Sequence, residues 1–125
     1  MKFKTKKIEE RFQDLHGKLQ EICLMMNEWC EARGIEFRIT EAWTNVHDDI
    51  RVGRQSSTHR DKRAVDIGLK GWEKEDIADF IDYFDDRYGD LGAMTSDGER
   101  RLIVYGDARH MDHIHVQLDR RFSLP

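Results

Sequence analysis

The sequence predicts an α+β domain built on a mainly antiparallel sheet, with a long N-terminal helix and a second helix packed on one face. Three features lead there. Two stretches carry apolar residues at steps of three and four. Several short stretches alternate apolar and polar residues. The alternating stretches follow one another closely late in the chain, apart from the helical ones. A length of 125 residues suits one domain with one core, and no internal repeat, low-complexity tract or linker divides it.

Taken in order, Ile8, Phe12, Leu15, Leu19, Ile22, Cys23, Met26, Trp29 and Cys30 form one apolar stripe, which predicts a helix over 6–33 stopped by Gly34. Met25, Met26 and Trp29 at this spacing read as core. Ile35, Phe37 and Ile39 alternate with Glu36, Arg38 and Thr40, which predicts a half-buried strand over 35–40. Residues 41–62 are polar and irregular, and a connection of that length in so small a domain points to function. A short strand follows over 64–69. Ile77, Phe80, Ile81, Phe84 and Tyr88 then mark the second helix, over 73–88, stopped by Gly89. Its acidic residues Asp76, Asp79, Asp82, Asp85 and Asp86 fit no metal-loop pattern and read as a solvated face. A loop over 89–100 leads to two further strands, Arg101 to Tyr105 and His113 to Leu118.

Composition narrows the function classes. Charged residues make up 37% and hydrophobic residues 38%, but the apolar ones are patterned, so the chain reads as folded. Its 25 acidic and 21 basic side chains leave a net charge of −4, which argues against nucleic acid as a partner. The cluster Lys2, Lys4, Lys6 and Lys7 reads as a solvated end. No apolar run approaches the roughly 18 residues of a membrane span, and no apolar core follows the basic N-terminus as in a signal peptide. The expectation is cytoplasmic synthesis without membrane insertion, as a monomer. Cys23 and Cys30 sit two helical turns apart, about 10 Å, too far for a disulfide. They match no Cys-x-x-Cys motif and read as reduced core thiols.

The chemistry gathers around the histidines. In the stretch from His113 to Leu118, Ile114, Val116 and Leu118 share the core face, so His113, His115 and Gln117 point the other way. In the stretch from Ala64 to Leu69, Val65, Ile67 and Leu69 face the core and Asp66 points away. If the two strands are neighbours, Asp66 and His115 converge on one surface, left open by the small residues Ala64 and Gly68. Zinc takes imidazole nitrogen and carboxylate oxygen, and a catalytic zinc site keeps one position free. His59, just ahead of the Asp66 strand, is placed to be the third ligand.

Ser57-Thr58-His59-Arg60-Asp61-Lys62-Arg63-Ala64-Val65-Asp66 resembles the S-x-H-x-x-G-x-A-x-D motif of the zinc D-Ala-D-Ala carboxypeptidases and L-alanyl-D-glutamate endopeptidases. That group includes bacterial D,D-dipeptidases and phage endolysins, with Hedgehog-type domains as distant relatives. Asp112-His113-Ile114-His115 resembles its second motif, and Ile39-Thr40-Glu41-Ala42-Trp43 looks like the strand and turn before the first. The likeness spans 35–118. It implies a Hedgehog/DD-peptidase fold and one zinc ion on His59, Asp66 and His115. It implies Asp112 as the general base that activates the attacking water and then protonates the leaving amine. It also implies Ser57 as a substrate contact.

An acid three places before His115 falls on the wrong face of a regular strand, so Asp112 is expected in a turn ahead of it. His113 shares the face of His115. It is placed to stabilise an oxyanion or orient a ligand, or is simply a half-exposed strand residue.

Two departures stand out. Lys62 occupies the motif's glycine position, and Thr44 stands where the family often has an arginine that recognises a carboxylate or carbonyl of the substrate. Arg51 or Arg54 in the following loop is the candidate replacement. The resemblance implies a zinc metallopeptidase acting on peptidoglycan peptides that contain D-amino acids, as a phage lysis enzyme or a bacterial wall-remodelling enzyme. The competing readings are a non-catalytic zinc-binding module, which the missing arginine favours, and a phage structural protein that uses the first helix as an interface.

Overall fold

The computed structural model describes residues 1–53, 57–107, 110 and 112–125. Among these it shows a small α+β fold with four α-helices and a mixed sheet.

The single helix expected over 6–33 is two helices. The first, α1 (Lys6–Phe12), opens at Thr5, whose hydroxyl accepts from the Ile8 amide at 3.2 Å. The second, α2 (Gly17–Glu31), opens at His16, whose Nδ1 accepts from the Lys18 amide at 3.0 Å. Asp14, His16 and Gly17 are all poor interior residues for a helix, and here they turn the chain. The Gln20 side chain closes the break by donating to the carbonyls of Gln13 and Leu15, at 3.2 and 2.9 Å. The apolar spacing runs on unbroken because Leu15, in the turn, is buried in the same core.

The main sheet has the order β1–β2–β3–β7–β6. Strand β1 (Lys2–Phe3) runs parallel to β2 (Arg38–Glu41). The other pairs are antiparallel: β2 with β3 (Ala64–Gly68), β3 with β7 (His113–Gln117), and β7 with β6 (Ile103–Val104). Strand β1 lies in the lysine-rich end that reads as merely solvated. Its lysine side chains are exposed, while its backbone bonds to the carbonyls of Phe37 and Ile39. The remaining helices are α3 (Val46–Val52) and α4 (Lys74–Tyr88). A hairpin of β4 (Ala93–Met94) and β5 (Arg100–Arg101) stands apart as a second sheet. Arg101 thus belongs to the hairpin and not to the strand expected over 101–105.

One apolar cluster joins Leu19, Ile22 and Met26 of α2 to Phe80 and Phe84 of α4 and to Val65, Ile67, Ile114 and Val116 of the sheet. Trp29 meets Phe80 edge-on at 5.4 Å. Cys23 and Cys30 are free and buried in this cluster. Burial raises both thiols, that of Cys30 to about 12, so neither is a ready nucleophile. No helix among the described residues is long and apolar enough to cross a membrane.

Candidate metal centre

Strands β3 and β7 pair so that Asp66 lies directly opposite His115. Val65, Ile67, Ile114 and Val116 fill the core side, and the alternation leaves Asp66 and His115 together on the far side.

His59 reaches them from a compact turn. The amides of Asp61, Lys62 and Arg63 return to the carbonyls of Ser57, His59 and Thr58, at 2.9, 3.1 and 3.2 Å. Lys62 closes this turn with φ 60. That left-handed conformation suits glycine, so lysine at the motif's glycine position leaves the backbone glycine-like and strained, by about 1–2 kcal/mol. Lys62 Nζ recovers part of this by donating to the Pro125 carbonyl at 2.9 Å.

The segment after β2 holds the turn from the other side. The Thr44 amide donates to the His59 carbonyl at 3.3 Å. Arg11 ties α1 to the same segment through the Trp43 carbonyl at 3.0 Å and Asp48 at 3.1 Å. The region expected to be irregular contains α3, with Asn45 and Asp48 as a reciprocal capping box and left-handed Gly53 as its stop.

All three side chains are buried: His59 is 1% exposed, Asp66 5% and His115 5%. Asp66 Oδ1 lies 3.1 Å from His59 Nε2 and 3.0 Å from His115 Nδ1. His59 Nδ1 sits 2.7 Å from the Ala42 carbonyl. A carbonyl only accepts, so Nδ1 carries a hydrogen and Nε2 is the nitrogen turned to Asp66. One ligand atom from each residue fits within 4.8 Å of the others. Tetrahedral ligands about 2.1 Å from an ion lie about 3.4 Å apart, so the two separations from Asp66 Oδ1 fall short of that spacing by only a few tenths of an ångström. Nitrogen, nitrogen and carboxylate oxygen therefore form a group that could hold a metal ion.

Electrostatics fit that use. Burial alone would raise the pKa of Asp66, but the charges and hydrogen bonds of His59 and His115 outweigh it and hold the carboxyl well below its usual range. Burial lowers the pKa of His115, with His59 and His110 adding to the effect against the pull of Asp66. An ionised carboxylate and a neutral imidazole are the forms that bind a metal.

The group lies at the floor of a cleft of about 950 Å³. Val52 and Gly53, at the end of α3, form one wall, and Met94, Thr95 and Ser96 of the hairpin form another. His110 and His113 also line it. His113 Nε2 stands 3.8 Å from Asp66 Oδ2, while its Nδ1 donates to Asp112 at 2.8 Å. His110 is held likewise by Asp107, at 2.6 Å, and its ring lies 5.3 Å from that of His115.

The remaining expected site residues fall as follows. Asp112 precedes β7, as the alternation requires, but its side chain is 90% exposed and its contact is with His113. Ser57 Oγ donates to Asp61 at 3.0 Å. Arg51 is 76% exposed and pairs with Asp48 at 3.2 Å. Arg54 lies outside the described residues. Thr44, at the expected arginine position, is buried and donates to Asp49 Oδ1 at 2.6 Å, and Asp49 in turn pairs with Arg60 at 3.0 Å. It braces the loop beneath the site.

Some participants escape the sequence reading. Thr58 Oγ1 lies 3.3 Å from His115 Nε2, and Asp107 orients His110. Nothing local marks either. Comparison with protein-family models, with curated proteins and with solved structures returns no match.

Proposed function

We propose that this chain is a zinc-dependent peptidase of the D-Ala-D-Ala carboxypeptidase and L-alanyl-D-glutamate endopeptidase group, cleaving peptidoglycan peptides that contain D-amino acids. The observation that carries the reading is the buried cluster of His59, Asp66 and His115 on the floor of an open cleft, at the positions of that group's motifs. Two imidazole nitrogens and one carboxylate are a donor set that zinc accepts. When bound, the ion supplies Lewis acidity towards a carbonyl and makes water a stronger nucleophile near neutral pH.

The protein's own groups supply the rest. Asp112 and His113 form the proton-handling pair. Asp112 accepts from His113 Nδ1, so His113 presents Nε2 to the cleft beside Asp66. His113 Nε2 takes a proton from the attacking water and passes it to the departing amine, with Asp112 balancing the charge of the imidazolium between the two transfers. The exposed apolar side chains of Val52 and Met94 offer contacts to the substrate flanking the scissile bond.

Turnover of purified peptidoglycan tests this. Asp112→Ala should keep zinc and lose about 100-fold or more in rate. Retained turnover in Asp112→Ala rejects its role.

The second reading is a closed, non-catalytic zinc site. The closeness of His113 Nε2 to Asp66 Oδ2, 3.8 Å, favours it, because a modest shift makes His113 a fourth ligand. Stoichiometric zinc without cleavage of any muropeptide, and weaker zinc binding in His113→Ala, decide for that reading.

A further inference from the structure

His115 has two ring nitrogens, and Gln117 bears on which of them is offered to a cation. Gln117 stands two places beyond His115 on β7, on the same face, and is buried. Its amide nitrogen lies 3.2 Å from the Arg101 carbonyl. A main-chain carbonyl only accepts, so the amide is fixed in one of its two flips. Oε1 of Gln117 then faces His115 Nε2 at 3.1 Å. An amide oxygen also only accepts, so Nε2 carries a hydrogen, and Nδ1, which donates its proton to the Asp66 carboxylate in the metal-free chain, is the nitrogen whose lone pair a cation takes in place of that proton. That is the nitrogen 3.0 Å from Asp66 Oδ1.

Resting on the metal reading above, we propose that Gln117 is a positioning residue that locks His115 in the Nε2–H tautomer and makes Nδ1 the atom presented to a divalent cation. It does for His115 what the Ala42 carbonyl does for His59, but through a side chain. The lock is referred to the main chain beside the cleft hairpin. Gln117 N–H donates to the Leu102 carbonyl at 2.8 Å, and Arg101 pairs with Ala93 across the hairpin. Thr58 Oγ1, 3.3 Å from Nε2, is a longer second partner.

The test is zinc affinity of the metal-free chain, measured by competition with a chromophoric chelator in the parent, Gln117→Leu and Gln117→Glu. It is paired with long-range proton–nitrogen spectra of the zinc-loaded parent. Gln117→Leu removes the acceptor and should weaken zinc by about 10- to 100-fold. Gln117→Glu keeps an acceptor and should stay close to the parent. The parent spectrum should show the His115 hydrogen on Nε2. Equal affinity in the parent and Gln117→Leu overturns the inference, as does Gln117→Glu binding as weakly as Gln117→Leu. Zinc on Nε2 of His115 in the parent overturns it alone, whether or not the variants fold. A parent that binds no zinc overturns the metal reading and the inference together.

Discussion

Around Asp66 and His115 both faces of strands β3 and β7 are buried, yet they are built on opposite principles. On one face Val65, Ile67, Ile114 and Val116 are wholly removed from water by apolar neighbours. On the other, Asp66, His115 and Gln117 are 5–6% exposed and are joined by hydrogen bonds and charge pairs. The first face is stabilising on any residue of the right size, at about 1.5–3 kcal/mol per large side chain. The second gains little net stability, because desolvating a carboxylate and two imidazoles offsets their attraction. Burial on that side fits a group that could hold a cation, set apart from the residues that hold the fold.

The contrast is sharpest under mutation. Phe80→Ala, in the apolar cluster, should lower unfolding free energy by about 3–5 kcal/mol. Urea unfolding measures this, and the folded fraction should still bind zinc. Asp66→Asn keeps volume and removes the buried charge. It leaves His59 and His115 without their buried partner, so it should destabilise the metal-free chain by about 3–5 kcal/mol and also abolish zinc binding. A large loss of stability with zinc retained would reverse the assignment of the two faces.

Acid should strike the polar face first. The folded-state pKa of His115 is below the ordinary value of 6.5, and that of Asp66 is well below 3.8. Each contribution is complete above the unfolded value and declines as pH falls from that value towards the folded one. Stability of the metal-free chain should therefore be flat above about pH 6.5 and fall below it, with a further loss below about pH 4. Zinc release should begin in the upper window, as protons compete for His115. Stability that rises on acidification from pH 7 to 5 would contradict this.

The smallest expected effect tests the turn that brings His59 to the site. Lys62→Gly relieves the left-handed strain at φ 60 and should stabilise by a few tenths to about 1 kcal/mol, net of the lost Lys62 contacts. Thermal unfolding checks the sign.

Much of the site was legible because β-strand alternation is rigid. Once Val65, Ile67, Ile114 and Val116 are placed in a core, Asp66 and His115 have only one side left, and the observed register sets them opposite each other. The break between α1 and α2 was hidden because Leu15 keeps the apolar rhythm through the turn. Strand β1 was hidden because its pairing is made by backbone, which lysine side chains do not reveal. Helix α3 is short, and its cap, Asn45 with Asp48, is the signal that could have found it. The contact of Asp112 with His113 depends on rotamers, which no spacing rule carries.

If His59, Asp66 and His115 hold zinc together, neither histidine is dispensable. Elemental analysis after dialysis against zinc, on the parent, His59→Ala and His115→Ala, tests it most directly. One zinc per parent chain and none in either variant is the expected result. A metal-free parent, or zinc retained in His59→Ala or His115→Ala, would contradict it.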